Sequence, residues 1–436
     1  MSLAFWKTRL GSVTVRDAVR LLGWLASVGY CSIVLADPPQ PISITDAVPF
    51  GREPIDYFSP TTDDAVARLQ RRLDGGTTQL QGHGSQGYLK AVLAELKVPV
   101  ESQLLVFSKT ARNPELIGPK TPRAIYFNDD VSVAWVPGTL ELEVTALEPL
   151  KGANFYTLTQ PSVGMATAPK FARRDQCLAC HAGRSTLEVP GLLLRAFQTD
   201  ATGKPLVGYS TMNSDTLYER RWGGWFVTGS PTGLNHRGNL VSTLDNERDR
   251  TEPGFRSEVG SLDGMFRVAD YPTSSSDVVA HLVFAHQMHG LNLLLRVGAE
   301  ARLQRRSDAE DRLLRYFVFA DEPELPVPAT FADEARRSSP FLKWFEQQGP
   351  RDSAGRSLRQ FDLSRRVFRH RLSWLVGHAS FEGLPADCRS RLLDRLWHGL
   401  TDEKPEPAFV HLKLAERQAI REIVAATIPA LLAEWR

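Results

Sequence analysis

Five consecutive residues constrain this 436-residue chain more than any other feature: Cys177-Leu-Ala-Cys180-His181. The spacing C-x-x-C-H is the attachment signature of c-type haem. Two thiols add to the two vinyl groups on one edge of the porphyrin, and a two-residue gap sets both sulfurs along that edge. His181 then lies under the ring with an imidazole nitrogen toward iron. With four cysteines and ten histidines, chance produces such a run on the order of once in a thousand chains. The competing readings are a disulfide and half of a zinc site. Zinc needs further Cys or His at suitable spacing, and Cys388 stands alone. We expect one covalent haem on Cys177 and Cys180, with His181 as an axial iron ligand. Cys388 is expected to be a small buried apolar residue near a helix start.

The N-terminus supports this independently, because such attachment occurs outside the cytoplasmic membrane. Lys7, Arg9, Arg16 and Arg20 precede an apolar run, Leu21 to Ala36, that ends Val34-Leu35-Ala36. This is the pattern of a secretory signal with a small-residue cleavage site. The run has 16 residues, short of the roughly 20 that span a bilayer, although a retained anchor stays open. No other apolar segment reads as long enough to cross. Residues 1–36 carry a net +3, so the overall +2 becomes −1 without them. Neither nucleic acid nor an anionic membrane surface is favoured as partner. The expected location is the periplasm, after Sec export.

Periodicity predicts an α+β fold. After an extended lead-in, a helix starts at Thr62-Asp-Asp and ends at Gly75-Gly76, and a second runs over 85–96. Strands follow at 103–107, 123–127, 131–136, 140–145 and 154–159, with Asn128-Asp129-Asp130 as a hairpin turn. Beyond the motif, strands are expected at 189–197, 206–212 and 222–228. Helices are expected near 277–305, 308–319, 331–347, 361–378, 385–399 and 411–434. The expected division is a signal peptide, 1–36; an N-terminal α+β region, 37–165; a β-rich haem-attachment region, 166–276; and an all-helical C-terminal region, 277–436. In sum, an antiparallel β-rich part with short helices precedes a helical part.

The motif resembles that of the c-type cytochromes. Pro190-Gly191 is similar to the proline whose carbonyl, in that family, bonds the axial histidine. Leu414-Ala-Glu-Arg-Gln-Ala-Ile-Arg-Glu-Ile is similar to the closing helix of a small cytochrome c domain. The layout also resembles exported bacterial proteins with one mid-chain haem c motif, a resemblance that names no reaction. Two departures matter. The glycine-bearing helix expected before the motif is absent from Pro169-Lys-Phe171-Ala-Arg-Arg-Asp. No methionine lies between Met212 and Met265, so the methionine spacing of a small domain is missing.

The ligand on the far side of iron then decides function. A Met or His there suits electron transfer, whereas an open side binds peroxide, oxygen or a small anion. The richest segment is Asp277-Val-Val-Ala-His281-Leu-Val-Phe-Ala-His286-Gln-Met288-His289, with all three histidines within about 140° of a helix circumference. His286 is the candidate ligand; core or surface histidines satisfied by hydrogen bonds are the competing reading, and a separate metal site, which no H-E-x-x-H or carboxylate spacing supports, is the third. Met212 and Met265 are further candidates, though packing explains both. His236-Arg237 reads as a loop that could serve peroxide cleavage. Arg220-Arg221-Trp222-Gly-Gly-Trp225-Phe226 would suit a haem edge. Gly82-His-Gly84-Ser-Gln-Gly87 fits G-x-G-x-x-G but follows no apolar strand and reads as a loop. The leading expectation is a periplasmic electron-transfer cytochrome serving a redox partner protein or small carrier. A haem enzyme, peroxidase-like or acting on a small inorganic substrate, is second. A haem-based sensor or binding module is third.

Overall fold

The computed structural model describes residues 44, 46–161, 168–241, 259–429 and 431. The export signal expected over 1–36 lies outside them. Residues 41–436 form one compact unit.

Two helices come first, α1 (Ala65–Asp74) and α2 (Leu89–Glu95). The Asp64 side chain caps α1 by accepting the N–H groups of Val66 and Ala67, both at 2.9 Å, as an N-cap aspartate does. Next come strands β1 (Leu104–Val106), β2 (Arg123–Phe127), β3 (Val131–Trp135), β4 (Glu141–Glu148), β5 (Gly152–Thr159) and β6 (Phe171–Arg173). Cys180 and His181 of the motif lie on the single turn α3 (Leu178–His181), and Cys177 is the residue just before it. Strands β7 (Arg195–Thr199) and β8 (Pro205–Thr211) pair as a two-stranded ribbon, and β9 is the short piece Trp225–Phe226. Among the described residues, the main sheet has seven antiparallel strands in the order β6-β5-β4-β3-β2-β1-β9. The fold is α+β. Strands β6 and β9, from the region expected to be separate, complete the sheet begun before residue 165.

The two faces of the sheet differ, as period-2 alternation requires. Tyr126, Val133, Val144 and Tyr156 stand in one cross-strand row and pack with α1 and α2 in one apolar cluster. On the opposite face, Ile125, Ala134, Glu143 and Thr157 form a row, and Phe127, Ser132, Thr145 and Phe155 form the next. That second face carries mostly small or polar side chains at its centre. The expected turn holds: Asn128 Oδ1 accepts the N–H of Asp130 at 3.0 Å and of Val131 at 2.8 Å. Asp129 pairs with Arg359, and Asp130 faces the His378 ring at 3.1 Å.

Helix α4 (Val278–Arg302) lies against the second face, with Phe284 4.6 Å from Phe127. By length and composition it could cross a membrane, contrary to the sequence expectation, yet 94% of its apolar stretch is buried by the rest of the chain. Around it are α5 (Ala309–Phe317), α6 (Phe331–Ser338), α7 (Pro340–Gln347), α8 (Ala379–Glu382), α9 (Ala386–Thr401) and α10 (Leu414–Thr427). The single helix expected over 331–347 is two, because Ser339 precedes Pro340 and is extended (φ −95°, ψ 106°), as a residue before proline prefers. The helix expected over 361–378 is absent apart from a short turn at Trp374–Gly377. Asp362 Oδ1 accepts the N–H groups of Ser364 and Arg365, so a local side-chain turn replaces the helical pattern. Of the strand expected over 189–197, only the end belongs to β7.

Candidate functional site

Strand β6 ends at Arg173, and a tight turn over Asp175–Cys177 feeds α3. A strand therefore precedes the motif where small cytochromes have a helix. Cys177 is half-buried, Cys180 is exposed, and neither forms a disulfide. His181 Nδ1 lies 3.0 Å from the Gly191 carbonyl oxygen, and the Gly191 N–H donates to the His181 carbonyl at 2.8 Å. A carbonyl only accepts, so Nδ1 carries the proton and Nε2 keeps its lone pair. Phe155 packs 4.5 Å from the imidazole. Burial pushes the His181 pKa down to about 4, which keeps the ring neutral near pH 7, the form that binds metal.

Cys177, Cys180 and His181 all line one cavity of about 360 Å³, within the size range of ligand sites. Its floor is the second face of the sheet, where Ser132, Ala134, Thr145 and Thr157 leave room above the strands. Met288 and Phe284 of α4 enter from another side, and Leu192, Phe197 and Trp225 add apolar wall. Arg112, Arg123, Glu143 and Arg195 bring charge. Among the described residues, no three His, Cys, Asp or Glu side chains group tightly enough to hold a metal ion by themselves.

Asn292 fixes the loop that orients His181. Its Oδ1 accepts the Leu192 N–H and its amide donates to the Leu192 carbonyl, both at 2.8 Å. Gly191 must be small, because a Cβ there would sit 2.5 Å from Asn292 Oδ1. One turn before Asn292 on α4 is Met288.

His286 is not at the cavity, which corrects its expected role. Its Nε2 faces Ser373 Oγ at 2.8 Å and its Nδ1 faces Ser214 Oγ at 3.3 Å. The ring lies between Tyr316 and Phe319, at 4.8 and 4.5 Å. The reason is helical geometry: two residues are about 200° apart, so Met288 toward the cavity turns His286 into the helical layer. His281 Nε2 is within 3.0 Å of Ser276 Oγ and the Phe226 carbonyl. His289 meets the Tyr316 ring edge-on at 4.9 Å.

The other expected candidates also lie elsewhere. Met212 Sδ accepts the Trp222 N–H at 2.9 Å, and Met265 packs on the opposite face of the sheet. His236 is buried against Trp222, with Nε2 2.9 Å from Ser230 Oγ and Nδ1 accepting the Gly238 N–H. Arg221 donates to the carbonyls of Thr216 and Ser214, each at 2.7 Å. From that stretch only Trp225 reaches the cavity. Gly84–Gln86 is a short turn. Cys388 is buried beside Glu310, and burial pushes its thiol up to about 12, so it stays protonated. Helix α10 packs on α9 and contributes nothing to the cavity.

The residues present suit a covalently held porphyrin. Two thiols, an imidazole with a free nitrogen and a thioether face one partly apolar cavity. The buried Arg195 Nε there has no hydrogen-bond partner. Compared with family models, curated proteins and solved structures, the chain matches none of them.

Proposed function

We propose that this protein is an exported, periplasmic c-type cytochrome that carries one haem on Cys177 and Cys180 and passes single electrons to and from a redox partner. One observation carries the reading: the two thiols and His181 share a cavity with Met288, while Gly191 holds Nδ1 and leaves Nε2 free. In this reading Cys177 and Cys180 would hold the group covalently, and His181 and Met288 would hold its iron. The group supplies reversible one-electron chemistry when bound. The chain's own work is to orient His181 through Gly191 and Asn292 and to wall the cavity with Phe155, Leu192 and Trp225. With His181 and Met288 both lining the cavity that would hold the group, the chain would supply a nitrogen and a thioether to it, the donor pair that suits electron transfer.

A second reading, a haem enzyme, is favoured by the Arg123–Glu143 ion pair in the cavity wall, because a paired acid and cation can handle protons and anions. The test is the spectrum of protein purified from the periplasm. A c-type pyridine haemochrome with a low-spin spectrum indifferent to carbon monoxide is expected. Carbon monoxide binding would favour the enzyme or a sensor, and absence of the c-type band would end both haem readings.

A further inference from the structure

Among the described residues, three guanidinium groups line the cavity, and two are already paired with carboxylates. Arg123 pairs with Glu143. Arg112 pairs with Glu141, which also holds Arg174 at 3.3 Å. Arg195 has no carboxylate partner among the described residues. Its Nη2 donates to Ser185 Oγ at 3.2 Å, its guanidinium lies 4.0 Å above the Tyr209 ring, and its Nε is buried without any partner. The Tyr209 hydroxyl is itself 3.0 Å from Ser185 Oγ. The Arg195 carbonyl accepts the Trp225 indole N–H at 2.8 Å, so backbone and side chain are both held.

A guanidinium cannot shed its charge, and an unpaired donor in a buried position is costly. A fork held on an aromatic face, on the cavity wall and without a carboxylate partner among the described residues, is a receptor for a planar anion. We propose that Arg195 is the carboxylate receptor of this cavity. The carboxylate is either a propionate of the haem, in which case the inference rests on the reading above, or a free small carboxylate entering the same cavity.

The test uses full-length purified protein, wild type beside Arg195→Gln and Arg195→Lys. Haem content, midpoint potential in carboxylate-free buffer and calorimetric titration with acetate are measured on each. If a propionate is held, Arg195→Gln lowers the potential. The reduced-to-oxidised ratio at a fixed electrode potential falls about tenfold, which is 59 mV for a one-electron couple. Arg195→Lys, keeping the charge but not the fork, shifts it by about threefold and decides the matter if the Gln variant does not fold. If a free carboxylate is held, acetate binds the wild type and not Arg195→Gln. Absence of haem from the wild type ends the cytochrome reading, and the acetate titration still decides the Arg195 proposal. An unmoved potential together with no acetate binding overturns it.

Discussion

Asn292→Ala isolates the contact that ties the haem-motif loop to the central helix. Asn292 is 2% exposed, and its amide bonds both the N–H and the carbonyl of Leu192. Among the described residues no other group bonds the Leu192 backbone, and Leu192 is 6% exposed. Truncation leaves one donor and one acceptor unmet, at about 1–3 kcal/mol each. Because Leu192 lines the cavity, water can reach part of what is exposed, which puts the expected loss at about 2–4 kcal/mol. That is a large share of the ~5–15 kcal/mol that holds a domain together. The assay is urea unfolding at pH 7, with Gln348→Ala at an exposed position as control, expected within about 0.5 kcal/mol of wild type. Asn292→Ala should also loosen His181, because Gly191 adjoins Leu192, and broaden the iron-ligand spectrum. A stability within about 0.5 kcal/mol of wild type would refute the argument that this amide pins the loop.

Three other outcomes follow from the same geometry. Met288→Ala should stay folded, convert the holoprotein to a high-spin form and permit carbon monoxide to bind; an unchanged low-spin spectrum would remove Met288 as a ligand. His286→Ala should do the reverse, leaving the spectrum unchanged while costing about 3 kcal/mol in chemical denaturation, since it deletes a stacked, doubly bonded ring from the interior. Acid stability gives the third. Burial holds the pKa of His286 down to about 3, so below about 6.5 the unfolded chain binds a proton there that the folded chain refuses. Stability is therefore lost as pH falls, by about 2 kcal/mol for this histidine between pH 7 and 5. Asp277 and Glu322, raised by burial to about 6 and 7, act in the opposite sense. The readout is thus the gap between wild type and His286→Phe in urea melts, expected to narrow by about 2 kcal/mol from pH 7 to pH 5; a constant gap would contradict a neutral buried His286.

Local chemistry made much of this legible in the sequence. The motif spacing is a one-turn property, so five residues suffice to mark two thiols and an imidazole at α3 and the turn that feeds it. Strand alternation at Arg123–Phe127 and Val131–Trp135, the Asn128 turn and the long apolar helix at 278–302 follow from periodicity and turn chemistry, and the structure has all of them. Where a local side-chain bond competed with periodicity, as at Asp362, the helical expectation failed.

What faces the motif was decided only by tertiary structure. Three histidines lie on α4, yet a helical sequence shows which residues share a side and never which side is turned inward. Packing against the sheet set that rotation, sending Met288 to the cavity and His286 between two aromatic rings. The arginines were set in the same way: Arg112, Arg123 and Arg195 meet from three separate segments, and only pairing across the fold leaves Arg195 without a carboxylate among the described residues. A sequence records chemistry along one dimension, whereas a site is a neighbourhood, and contacts between residues a hundred apart, such as Leu192 and Asn292, come into being only when the core closes.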